Sequence, residues 1–129
     1  MVEVERLRSL FREATSFLER GDAVQASEKL YKVAEDCVKS LAQLHNLPEH
    51  VEAVKEGGWW TKLLNRAAGR LAKLYGEEFR RAWGLAYELH QRGFHEESMS
   101  VEDVKEAAPL IEELMELTMA ELKAKKPSS

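Results

Sequence analysis

The side chains best suited to chemistry crowd one stretch, Arg80 to Ser98, R-R-A-W-G-L-A-Y-E-L-H-Q-R-G-F-H-E-E-S. Spacings of three, four and three put Arg80, Trp83, Tyr87 and His90 on one side of a helix. An imidazole beside a cation suits cleavage of a phosphodiester. His90 or His95 would take a proton from a 2'-hydroxyl while Arg80 or Arg92 balances the charge growing on phosphate. The same residues also suit a structural role, with Trp83 and Tyr87 as core or interface packing and His90 as a hydrogen-bonded residue of a helical bundle. His95, next to Glu96 and Glu97, is placed to pair with a carboxylate.

A metal site is not expected. On a continuous α-helix His90 and His95 point about 140° apart, whereas paired zinc ligands are usually four residues apart. Only the turn at Gly93 would bring them together, with Glu96 as a third donor. The chain has no phosphate-binding glycine loop, no G-x-S-x-G elbow and no Cys/His nucleophile pattern, and no cofactor is expected.

A second candidate surface is basic. Lys62, Arg66, Arg70 and Lys73 follow spacings of four, four and three, which lines them along one helix face opposite its leucines. Such a stripe could hold a phosphate backbone, with Trp59 or Trp60 offering a ring on which a base stacks. It could equally be a solvated face that pairs with glutamates of a neighbouring helix. Adjacent tryptophans are turned by about 100° on a helix, so at least one of the two must lie at a cleft or contact.

Composition limits the rest. The 129 residues, 44 % hydrophobic, suffice for one core and are short for two. No apolar run approaches the roughly 18–20 residues of a membrane span, and the start V-E-V-E-R is unlike a secretory leader, so a cytoplasmic protein without a membrane partner is expected. A lone cysteine, Cys37, excludes an internal disulfide and falls in phase with Val33, Val38 and Leu41 as a small core residue. The net charge of -4 hides a basic middle: residues 55–92 carry 8 basic and 4 acidic groups, whereas 1–54 carry 7 and 10 and 93–129 carry 4 and 9. The 33 % of charged residues, with few Asn and Gln, resembles heat-adapted composition.

The elements that must position these groups are all helical. Leu7, Phe11, Ala14 and Leu18 mark a first helix ended by Gly21-Asp22, and Ala26 to Leu44 a long second one stopped before Pro48. Residues 49–58 read as a short helical turn. A third helix follows Trp59-Trp60 and closes at Gly76; a fourth runs from Phe79 to a left-handed exit at Gly93. Ser100 with Asp103 caps a fifth, which Pro109 kinks without breaking. No period-two alternation suggests a strand. The expected fold is an all-α, antiparallel up-and-down bundle of about five helices, one domain over residues 1–124 with a disordered basic tail at 125–129.

Two blocks bear a family resemblance. F-L-E-R-G-D-A-V-Q-A-S-E-K-L-Y-K-V-A-E-D at positions 17–36 resembles the opening hairpin of HEPN domains. A-W-G-L-A-Y-E-L-H-Q-R-G-F-H-E at 82–96 is similar to a block of the archaeal PaREP group, matched here by Trp83, His90, Gly93, Phe94, His95 and Glu96. The resemblance implies a HEPN-like bundle that pairs as a homodimer, and many HEPN proteins are metal-independent endoribonucleases or toxin components. Their Arg lies four to six residues before a His. Here Arg81 is nine before His90 and Arg92 three before His95, so that motif is not carried over. The expected function is a homodimeric module binding a nucleotide, RNA or a protein partner of toxin–antitoxin type, with Trp83 and Leu89 in the subunit contact. The alternative is a metal-independent endoribonuclease of toxin type whose His90, His95, Arg92 and Arg80 meet across the dimer axis.

Overall fold

The structure is a computed structural model that describes residues 2–125. Six helices carry the described residues: α1 (Val2–Glu19), α2 (Ala23–Leu44), α3 (Pro48–Glu56), α4 (Thr61–Tyr75), α5 (Glu77–Glu88) and α6 (Val101–Ala124). A π-helical segment, Leu89–His95, prolongs α5 without a break. No strand occurs among the described residues.

The long second helix is the centre of the molecule, because its apolar positions cover more than one side. Leu30, Val33, Ala34, Cys37, Val38 and Leu41 have no exposed surface, and α2 packs on every other helix and on the π segment. Burying each such leucine removes roughly 1.5–3 kcal/mol of apolar hydration. The Asp22 carboxylate starts this helix by accepting the backbone N–H of Gln25 at 3.0 Å. Ion pairs fix the return of α1 along it, Arg6 to Asp36 at 2.8 Å and Lys29 to Glu13 at 3.3 Å.

Two expectations about elements are corrected. The short turn after residue 48 is a nine-residue helix, α3, so the count is six rather than five. Pro48 occupies its first turn, where a missing N–H costs nothing, and Gly57 ends it in the left-handed conformation (φ 82°). Gly93 is not a left-handed exit. The residue with positive φ after the π segment is Glu97, at 53°. Lys123 and Ala124 remain helical, and residues 126–129 of the expected tail lie outside the described residues.

α6 begins as its sequence requires. The Ser100 hydroxyl accepts the Asp103 N–H at 3.1 Å, and the Asp103 carboxylate accepts the Ser100 N–H at 3.1 Å. The helix then runs through Pro109 unbroken, with Val104, Ile111, Leu114 and Thr118 facing the core. No helix among the described residues is long and apolar enough to cross a membrane.

Candidate functional site

The π segment is what makes a site of the two histidines. In an α-helix position i+4 closes a turn; in a π-helix i+5 does, and here the Glu96 N–H donates to the Gln91 carbonyl at 2.9 Å. A spacing of five therefore returns to the same side. His90 and His95 meet with their Nε2 atoms 3.2 Å apart and their rings in an edge-on arrangement at 75°.

Gly93 lets this segment sit close to α2. A Cβ added there would lie 2.6 Å from the Cβ of Ser27 and closer still to its hydroxyl, so only glycine fits. The approach delivers His90 to the residues next to Ser27 on α2. Its Nδ1 lies 3.1 Å from the Glu28 carboxylate, and its ring stacks on Tyr31 at 4.1 Å between centroids. Phe94 lies stacked beyond it at 6.3 Å. Burial, then the carboxylates of Glu35 and Glu28, push the Tyr31 hydroxyl above its usual range, so it stays protonated.

A carboxylate only accepts, so the His90 Nδ1–H donates to Glu28; in the form with both imidazoles neutral, the His90 Nε2 carries a lone pair and the His95 Nε2–H donates to it. The result is a carboxylate–imidazole–imidazole chain from the half-buried Glu28 to the exposed His95. His95 thus pairs with His90 rather than with Glu96 or Glu97.

Other expected members of the site lie elsewhere. Arg92 pairs with Glu88 at 3.6 Å and lines a cleft with Leu85, Met99, Asp103 and Glu106. Arg80 pairs with Glu77 at 3.4 Å. Within the chain the two arginines line different clefts, and neither histidine lines either. Trp83 is a core residue. Its indole N–H donates to the Asn65 side chain at 2.9 Å, and both it and Leu89 are buried in a single chain, so they form no exposed contact surface. The Tyr87 hydroxyl accepts from Gln91 at 3.1 Å, and the Glu96 side chain completes no group of three metal donors among the described residues. Glu28, Tyr31 and Ser27 are the members that sequence reasoning missed.

Arg66, Arg70 and Lys73 on α4 and Arg80 on α5 line one open cleft of about 300 Å³, with Gly69 and Glu49. Arg70 reaches both oxygens of the buried Glu49 at 2.9 Å, and Arg66 reaches Glu52 at 3.4 Å. Two of the four stripe residues are therefore engaged by α3. Lys62 and Lys73 make no ion pair among the described residues. The tryptophans divide as their spacing requires: Trp59 is half-buried against the core, and Trp60 at the start of α4 is 41 % exposed.

An all-helical domain with a paired-histidine π turn and a basic interhelical cleft is the class of molecule these features define. The family model described as the archaeal PaREP1/PaREP8 family matches residues 2–115, and the chain belongs to that family. It is similar to a Sulfolobus solfataricus protein whose crystal structure has a TM-score of 0.80 to it, at 35 % identity over 90 % of this chain and 95 % of the other. The solution structure of the same structural-genomics target gives a TM-score of 0.78, again at 35 % identity, over 91 % of both chains. No curated protein matches the sequence.

Proposed function

We propose that this chain is a HEPN-like helical module of the cytoplasm that pairs with a second copy and binds the phosphates of RNA or a nucleotide, without catalysis of its own. The observation that carries this reading is the cleft between α4 and α5, where Arg66, Arg70, Lys73 and Arg80 converge. Arg80 and its partner Glu77 are both largely exposed, so that pair is weak and opens to an anionic ligand. Trp60 and Lys62, at the N-terminal end of the same helix, extend the surface toward a base and a further phosphate. Pairing is supported by the exposed apolar Val51 and Val54, three residues apart on α3.

Binding of a labelled single-stranded RNA, followed by fluorescence anisotropy across a salt series, tests it. Lys73→Gln with Arg80→Gln should weaken binding about tenfold and flatten the salt dependence by about two charges. These positions are exposed, whereas replacing Arg70 would strand the buried Glu49. Absence of RNA and nucleotide binding by the native protein at low salt, or equal binding by the double variant, overturns the reading. The ribonuclease alternative lacks its cationic half within one subunit, since Arg80 and Arg92 line clefts that exclude the histidines. Cleavage of that RNA by the native protein and not by His95→Ala would restore it.

A further inference from the structure

The histidine pair has the form of a metal chelate. Two imidazole nitrogens bound to one tetrahedral ion at about 2.0–2.1 Å are held about 3.3 Å apart. The Nε2 atoms of His90 and His95 stand 3.2 Å apart on adjacent turns of the π segment. A second, independent feature points the same way. Metal-binding histidines almost always donate their other N–H to a carboxylate or carbonyl, which fixes the tautomer and raises the basicity of the ligating nitrogen. His90 has this arrangement, with its Nδ1 on Glu28 at 3.1 Å and its ring stacked on Tyr31 at 4.1 Å between centroids.

We propose that His90 and His95 form a two-nitrogen site for a divalent transition ion of the zinc, copper and nickel group, with Glu28 orienting the inner ligand. Imidazole donors select these ions over magnesium and calcium, which take oxygen. No third His, Cys, Asp or Glu joins the pair among the described residues, so at least two positions remain for water or an anion. Loading is simple in atoms: His95 transfers its proton from Nε2 to Nδ1, both Nε2 lone pairs turn to the ion, and the His90–Glu28 hydrogen bond is kept. The inner ligand is half-buried while the outer one is exposed, which gives the ion an entry path from solvent. The pair shares no residue with the basic cleft, so this inference stands or falls separately from the RNA reading.

Isothermal titration of the full chain with zinc chloride, with magnesium chloride as the contrast, tests the site. The native protein should bind zinc and give no heat with magnesium. His95→Ala, at an exposed position, should keep the fold by circular dichroism and lose at least tenfold in zinc affinity. Glu28→Gln should lose between about 10- and 100-fold with both imidazoles still present. His50→Ala, which lies in a different cleft beside Trp59, should bind as the native protein does. Long-range nitrogen NMR of the imidazoles should show both Nε2 signals moving on zinc addition, with the His95 proton on Nδ1. Undetectable zinc binding by the native protein, equal binding by His95→Ala, or zinc-induced shifts confined to His45 and His50 would overturn the proposal.

Discussion

At the scale of single residues, the site depends on one missing side chain. The Gly93 backbone lies where a methyl group would overlap Ser27, and the Ser27 hydroxyl beneath it is buried without a hydrogen-bond partner among the described residues. Gly93→Ala should force the π segment off α2 and cost about 1–3 kcal/mol, the range typical of overpacking. Gly84 on α5 is the control, because a Cβ there meets nothing within 4 Å. Gly84→Ala should be neutral or stabilise by up to about 1 kcal/mol, since alanine loses less backbone entropy in a helix. Thermal melts of both variants check the pair of expectations, and the His90 imidazole signals should move only in the first. The residue type at position 93 was visible in the sequence, but its reason was not. A glycine near a helix end has the same signature whether it turns the chain or admits a neighbour.

At the scale of elements, legibility followed polarity. The stripes of α1, α2, α4 and α6 have their apolar residues inward, so spacing alone located them, and caps such as Asp22 and Ser100 marked where helices begin. α3 inverts the rule: Glu49 is buried beneath Arg70 while Val51 and Val54 face outward. A pattern reader therefore sees too little there to extend a helix. The π segment escaped for another reason. The segment docks on Ser27, Glu28 and Tyr31, about sixty residues away in the chain, and nothing local announces it. The inverted face of α3 carries the proposed pairing. Val54→Glu should convert a sedimenting dimer to monomer with the helical content unchanged; an unaltered sedimentation coefficient would remove α3 from the contact.

At the scale of the whole molecule, the core sets an alkaline limit on stability. Burial pushes the Cys37 thiol from 9.0 to about 12, and burial followed by the nearby Glu121 pushes the Tyr75 hydroxyl from 10.0 to about 12. Tyr75 also hydrogen-bonds His45 at 2.7 Å. Both groups keep protons in the folded state that the unfolded chain releases. The stability they contribute is complete below pH 9 and is lost as the pH rises toward 12. Urea midpoints should fall across that window, and Tyr75→Phe should fall less steeply. Asp36 works in the same sense at the acid end: burial outweighs Arg6 and raises its carboxyl, so its protonation on acidification favours the folded chain. At this scale the sequence was most informative, since an all-helical chain with one core thiol is what the apolar spacing implied. The pairing of basic stripe with α3 was legible only as one of two options, because charge positions do not name their partners.

The π turn can also be counted as chain length. One surplus residue is stored between Leu89 and His95, and every residue beyond it is displaced by that increment relative to an ordinary helix. Excising one position there would relax the coil and rotate the link toward Ser100 by about 100°. The fifth and sixth helices would then meet in a different phase. The two imidazoles and the seating of the C-terminal helix are thus tied to the same spare residue.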